Sequence, residues 1–401
     1  MFLGMFMKLK IEKYDDFGRG IGFLNNKITF VPNTVVGDLV LVDIVKEKSR
    51  YNVGKMRQII EPSIDRIQAH CPYFTICGGC VYQNITYQNS VKIKKEMVKN
   101  YFQKEGLVIN PEIVLNPNPN HYRNKITLKI KDGQLGYFKS DSHELVKIDM
   151  CSLAKESINE VIRIVNNLGV SNGEIILRSN YQDQILVIIK TKETIKNKYL
   201  NLNKNIIGIV VNDKLVMGQD YFLESVNDFK YKVSYNSFFQ VNLAVAQKMF
   251  NLVKEYINEK DIVLDLYSGV GTFSLTSSGA KTVYGVEIVQ NAVLNARENA
   301  VNNNVFNTHF ILSDAKDVLK FNQYFNKLIL DPPRAGVSNE VIEFIKAKKP
   351  EMIIYVSCDY HTQARDIKLL ENDYTIIKSY ICDMFSYTYH VECVILLQRK
   401  D

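Results

Sequence analysis

Asp265-Leu266-Tyr267-Ser268-Gly269-Val270-Gly271-Thr272 is the stretch on which the fold turns. It ends the apolar run IVLDL and opens a helical stretch, so its glycines stand at a strand-to-helix turn. Glycine there lets the backbone turn tightly and approach a ligand closely. Glu287 ends the next strand-like run, 22 residues after Asp265, and an acid in that place accepts hydrogen bonds from a ribose diol. Turn and spaced acid together point to a nucleoside cofactor, but spacing alone does not separate a nicotinamide from S-adenosylmethionine. From about residue 245 helical stretches alternate with the runs IVLDLYSG, TVYGVEI, KLILDPP and MIIYVSC. That alternation predicts a Rossmann-like α/β domain with a doubly wound parallel sheet.

Two more of these strand ends carry chemistry. Asp331-Pro332-Pro333-Arg334-Ala335-Gly336 follows KLIL, at the end of a strand where open α/β sheets bind ligands. Its prolines have fixed φ and stiffen the loop. Ser357-Cys358-Asp359 ends MIIYV in the same way. A cysteine there is either a nucleophile or a small buried hydrophobe. Glu392, in Tyr389-His390-Val391-Glu392-Cys393, leads into another apolar strand. It reads as a surface acid or as a general base with a tuned pKa. Cys382 and Cys393 read as structural.

Working outward, the 401 residues suggest two to three domains. Their 46% hydrophobic and 23% charged content excludes wholesale disorder. No apolar run reaches the roughly 18 residues of a membrane span, and the start MFLGMFMKLK lacks a basic segment and a cleavage site. A cytoplasmic protein without membrane contact is expected. Seven cysteines make a disulfide scaffold unlike this chain. Cys71, Cys77 and Cys80, with the distant Cys151, offer four thiolates, which suit zinc or an iron–sulfur cluster. Residues 7–61 read as about five short strands separated by turns, a small oligonucleotide-binding type of barrel or a generic β-domain. A helix is expected from about Ser90 to Gly106, with Lys92, Lys94, Lys95 and Lys99 on a solvated face. HYRNKITLKIK alternates as a strand, with Ile126, Leu128 and Ile130 facing a core. Arg123, Lys125, Lys129 and Lys131 then form a cationic face suited to a phosphate backbone. Residues 120–235 read as an α+β middle region.

Taken together these motifs resemble the RNA uracil-C5 methyltransferases, which make 5-methyluridine with S-adenosylmethionine. SFFQVN, DLYSGVGTFSL, DPPRAG, YVSC and HVE occur in the family's order, the N-terminal strands resemble a TRAM domain, and CPYFTICGGC resembles the cluster segment of the 23S ribosomal RNA branch. The resemblance implies that Gln240, Tyr267, Glu287 and Asp331 line the cofactor and target-base pocket. It implies Cys358 as nucleophile, Glu392 as base, and Cys71, Cys77, Cys80 and Cys151 as ligands of a [4Fe-4S] cluster. It also implies three domains: a TRAM-like barrel at 7–61, a central iron–sulfur and RNA-binding domain at 62–83 and 115–235, and a methyltransferase domain at 84–114 and 236–401. The expected partner is RNA, 23S ribosomal RNA foremost, and the expected state a monomer. Competing readings are a transfer-RNA methyltransferase of the same chemistry, which in that family usually lacks the barrel and the thiols, a non-catalytic cluster-bearing RNA-binding protein, and a nicotinamide-dependent oxidoreductase. Three positions depart from the family pattern. Asp359 and Tyr360 replace Asn and Pro after the nucleophile, Ser386 replaces Pro before the base, and Ser152 replaces Pro after Cys151.

Overall fold

Ile262–Leu266 is a strand buried almost along its whole length, as a run without polar alternation must be when both faces of its sheet are covered. In the computed structural model, which describes residues 6–139, 142–165, 169–195 and 205–401, this strand lies inside an eight-stranded sheet. The order is Thr308–Leu312, Thr282–Glu287, Ile262–Leu266, Lys327–Leu330, Met352–Ser357, Glu392–Arg399, Tyr374–Cys382, Glu112–Val114. The first five are parallel. Glu392–Arg399 runs antiparallel to both neighbours, so the sheet is mixed and not wholly parallel as expected. The link from Asp383 to Val391 is too short for the crossover that a parallel return needs. Leu264, Leu266, Leu328, Leu330, Ile353 and Ile395 build the core of this sheet.

The chain divides into two compact units, residues 1–97, 136–152 and 385–389 in one and the remainder in the other. The second unit holds the large sheet and a further group of strands in the order Lys125–Lys131, Gly173–Ser179, Ile185–Lys190, Ile206–Val211, Lys214–Gly218. Ile126, Leu128 and Ile130 are buried, as their alternation requires. The cationic face opposite them is less bare than it reads. Glu174 is the cross-strand partner of Lys129 and pairs with it.

A hairpin, Tyr221–Val226 with Phe229–Ser234, leads into SFFQVN. Its outer edge is covered by a helix, Gln290–Asn302, and the asparagine that ends it. Asn303 accepts from Lys230 N (2.8 Å) and donates to Lys230 O (2.6 Å). Asn299 does the same to Lys232 (2.6 and 3.1 Å) and also donates to Val270 O at 3.1 Å. Asn295 donates to Ser234 Oγ at 2.9 Å. Asparagines one helical turn apart act here as a surrogate strand, pairing an edge that would otherwise be open.

In the first unit six strands, not five, pair in the order Met7–Lys10, Leu39–Glu47, Tyr51–Glu61, Lys27–Val31, Gly20–Leu24, Lys13–Tyr14. The two end strands are not hydrogen-bonded to each other, so the sheet is open. It does curl: a Cβ on Gly22 would stand 2.2 Å from Lys10 O. The helix spans Tyr87–Lys104, ending at Gly106 with φ +76. Lys94 is fully buried, against its reading as a solvated residue. Residues 1–5, where an export signal was read as absent, lie outside the described residues. Among the described residues no helix is long and apolar enough to cross a membrane.

Asn299→Ala orphans two strand groups and a loop carbonyl. Buried unpaired groups cost about 1–3 kcal/mol each, offset slightly by alanine's helix propensity. The variant is expected to lose roughly 2–4 kcal/mol in urea unfolding, and Asn303→Ala, at a half-buried position, less.

Candidate active site

All the candidate site residues of the second unit except Gln240 lie at strand ends of the large sheet. Ile262–Leu266 has Thr282–Glu287 on one side and Lys327–Leu330 on the other, so the order in which successive strands are added reverses there and opens a crevice at the carboxyl ends. Tyr267 leaves the strand with φ +70, and the amides of Tyr267 and Ser268 both donate to Val286 O (2.9 and 3.0 Å). Gly271 has φ +88, and a Cβ on it would stand 3.0 Å from the Phe310 ring. Glu287 Oε2 accepts from Gly269 N (3.0 Å) and Oε1 from Val289 N (2.7 Å). Each carboxylate oxygen keeps acceptor capacity for a diol. Asp265 is fully buried and takes a 2.6 Å hydrogen bond from Ser274 Oγ. Asp265 Oδ1 and Ser268 Oγ are buried without a hydrogen-bond partner.

Asp331 follows Lys327–Leu330, and burial pushes its carboxyl up to about 7. The stiffness of its loop comes from a helix, Tyr360–Leu370, as much as from proline. Thr362 Oγ1 donates to Arg334 O (3.1 Å), Arg365 to Ala335 O (2.9 Å), and Asp366 Oδ2 accepts from Val337 N (3.0 Å). Gly336, φ +76, is obligatory: a Cβ would stand 2.4 Å from Asp366 Oδ2.

The antiparallel register pairs Met352 with Gln398 and Ser357 with Cys393. The ladder stops there, so Cys358 and Glu392, the chain neighbours of that last pair, come to the same end of it, near enough for Glu392 to act on the Cys358 thiol. Glu392 is buried, which removes its surface reading. Burial and then the nearby Asp331 push its carboxyl well above the usual range, while Arg334 opposes. Burial and then Glu392 raise the Cys358 thiol to about 11, with Arg334 again opposing. Arg334 also approaches His390 Nδ1 at 3.3 Å. Arg334 was read only as part of a loop, since nothing in the spacing tells that its guanidinium faces both groups. The departures after Cys358 are absorbed locally. Asp359 caps the helix by accepting from His361 N and Thr362 N (3.0 and 3.1 Å), as Asn does. Tyr360, where Pro is usual, is buried and stacks on His361 with centroids 4.0 Å apart.

Gln240 is buried, and its segment is held by two residues that sequence reasoning missed. Asn124 donates to Gln240 O (3.1 Å) and, from its backbone, to Val241 O (3.0 Å). Arg178 donates to Tyr235 O and Ser237 O (3.1 and 2.7 Å). A lone arginine inside the apolar run GEIILRS was the available signal. Asn242, which caps the next helix, donates to Met384 O at 3.4 Å and ties the segment to the large sheet. The structure thus gathers Asp331, Cys358 and Glu392 around Arg334. It sets Tyr267 and Glu287 on the glycine turn and anchors Gln240 separately.

In the first unit Gln83 joins the thiol-bearing stretches. Its Oε1 accepts from Cys71 N (3.2 Å), and its Nε2 donates to Cys80 Sγ (3.3 Å) and Ser152 Oγ (3.2 Å). The serine after Cys151 is therefore used. Burial, and then Cys151 and Cys71, push Cys77 up to about 11, and Cys80 lies higher still from burial and Cys151. The four thiols share one neighbourhood. Among the described residues, however, no three His, Cys, Asp or Glu side chains stand in a metal-holding arrangement.

Residues 86–400 match the model of the tRNA (uracil-5-)-methyltransferase family. An uncharacterized RNA methyltransferase of Clostridium tetani is 33% identical, across 95% of this chain and 93% of its own. One from Thermotoga maritima is 31% identical across 99% and 100%. Among solved structures, the Pyrococcus abyssi tRNA (uracil-54, C5)-methyltransferase in complex with S-adenosyl-L-homocysteine superimposes with a TM-score of 0.81. It is 27% identical and covers 98% of this chain and 100% of that one.

Burial, with Asp331 and Glu287 adding, raises the Asp265 carboxyl to about 7, so the fold favours the protonated acid. Below about pH 4 folded and unfolded chains both hold the proton and nothing is lost. From there to about 7 ionisation costs stability progressively, and above that the cost is constant. Asp265→Asn keeps the acceptor for Ser274. Its melting temperature is expected to exceed the parent's by a margin that opens across this range. A margin independent of pH would contradict the assignment.

Proposed function

The chain belongs to the tRNA (uracil-5-)-methyltransferase family and is an S-adenosylmethionine-dependent RNA methyltransferase, and from that premise we propose that it methylates uracil C5 through a covalent adduct on Cys358. The observation that supports the proposal is that Cys358 and Glu392 flank the last pair of one antiparallel ladder, where Glu392 and Arg334 act on the thiol and Asp331 and Arg334 on the Glu392 carboxyl.

Carbon-5 of uracil is too weak a nucleophile to take a methyl group unaided. The Cys358 thiolate adds to carbon-6, forming a C–S bond and pushing the ring electrons into an enolate. Carbon-5 then attacks the methyl carbon of the sulfonium, and S-adenosylhomocysteine leaves. The Glu392 carboxylate takes the carbon-5 proton, the carbon-5–carbon-6 double bond re-forms, and the thiolate is expelled. Arg334 stabilises the thiolate before addition and the ionised Glu392 before proton removal. Gln240, Tyr267, Glu287 and Asp331 line the cofactor and target-base pocket. The acids of this pocket suit a cationic sulfonium. The target base leaves its stack at a cost of a few kcal/mol.

The proposed substrate is 23S ribosomal RNA, on the resemblance of the segment CPYFTICGGC. A transfer-RNA reading is favoured by the Pyrococcus abyssi enzyme, whose match covers 98% of this chain. That match takes in the N-terminal strands, so their presence does not argue against transfer RNA. The N-terminal sheet is proposed as a TRAM-like RNA-binding module and the four cysteines as holders of a [4Fe-4S] cluster. Thiolate donors are of the right chemistry for that group. The proposed domains are 7–61, 62–83 with 115–235, and 84–114 with 236–401. A cytoplasmic monomer completes the proposal. Mapping 5-methyluridine in ribosomal and transfer RNA of a strain lacking the gene decides the substrate. Iron and sulfide analysis of anaerobically purified protein decides the cluster, and equimolar zinc without iron defeats it.

Cys358→Ala is expected to abolish methyl transfer while still binding cofactor; near-parental turnover would end the nucleophile assignment. Loss of a general base typically costs about 10² to 10⁴ in rate. Glu392→Gln should therefore accumulate methylated RNA joined to Cys358, seen as a denaturation-resistant complex that needs cofactor. Both reactive forms are deprotonated and both groups are raised, so kcat/KM should climb with pH towards the Cys358 value of about 11.

A further inference from the structure

Lys94 has no part in the mechanism above, yet its side chain is fully buried, which lysine almost never is unless paired. Its ammonium donates to Phe385 O at 2.9 Å. An ammonium out of water is costly unless a partner holds it, so this bond ties helix and loop firmly together. Phe385–Tyr389 belongs by its contacts to the first unit. There the Tyr387 carbonyl accepts from Val81 N and Tyr82 N (2.9 and 3.1 Å). The Tyr387 ring lies against His70 and Tyr87 (5.5 and 5.9 Å), and Tyr389 meets Phe17 edge-on (5.6 Å). Tyr387 itself has φ +61, a left-handed backbone that bulky residues adopt only when held there.

In the chain this loop lies between Tyr374–Cys382 and Glu392–Arg399. Only His390 and Val391 separate it from Glu392. A displacement of the loop is passed along the backbone to the first residue of that strand. We propose that Lys94 is a positioning residue for proton removal: by holding the Phe385 carbonyl it fixes the path on which the chain enters Glu392. The inference rests on the reading of Glu392 as the base. It explains a cation inside the first unit that RNA contact leaves unexplained, because a buried ammonium cannot reach a phosphate.

Lys94→Met keeps the stem and loses the donor. The variant is compared with the parent on two RNAs, one ordinary and one bearing 5-fluorouracil, which has no carbon-5 proton to remove. On the fluorinated RNA the covalent adduct is expected to form within about threefold of the parental rate, because addition and methyl transfer need no base. On ordinary RNA turnover should fall about tenfold or more, and the methylated adduct should accumulate as it does in Glu392→Gln. Cofactor affinity should be unchanged. Equal losses on both RNAs would show general damage to the fold and overturn the inference, as would parental turnover with no adduct. If the Met variant precipitates, Lys94→Gln, a neutral donor of shorter reach, carries the same comparison. Trapping by Glu392→Gln but not by the Lys94 variants overturns this inference alone. Normal turnover by Glu392→Gln overturns the base reading and this inference with it.

Discussion

The antiparallel pairing of Met352–Ser357 with Glu392–Arg399 is the constraint on which the site depends. Strand register is quantised: a slip of one residue sends every side chain to the other face. The thiol and the carboxylate are separated by 34 residues of chain (358 to 392), and the ladder between them holds them at one level. Ile353, Ile395 and Leu397 belong to the core on one face, and a slip of one residue would exchange them with the buried Ile354, Val394 and Leu396 of the other face.

Around that pair the structure gathers acids where burial disfavours charge. Asp265, Asp331 and Glu392 are all raised, burial being the first cause in each. Such a cluster is unfavourable by itself, since burial penalises each charge. Arg334 lies among them and opposes the rise at both Glu392 and Cys358.

The departures from the family pattern show how local physics tolerates exchange. Asp359 offers the same capping oxygen as asparagine, and Tyr360 exchanges a preset φ for aromatic stacking. Ser152 gains a hydrogen bond from Gln83. Ser386 is buried within the loop that Lys94 grips.

The sequence by itself determined the class of the large domain. Glycine turns, strand-end acids and the alternation of helix and strand are local signals, and each is written within a few residues. It also placed Asp265, Glu287, Asp331 and Cys358 at strand ends, where position along the chain is enough. Only tertiary structure decided that Glu392 is buried at the same ladder end as Cys358, that Arg334 faces both, and that Lys94 is interior. Those facts depend on which strands become neighbours and on what covers a helix face, and neither follows from periodicity. The same limit applies to Asn295, Asn299 and Asn303, whose spacing was visible but whose partner, the edge of a hairpin some sixty residues earlier, was not. Hydrogen-bonding capacity is a property of the residue, while the group that satisfies it is a property of the fold.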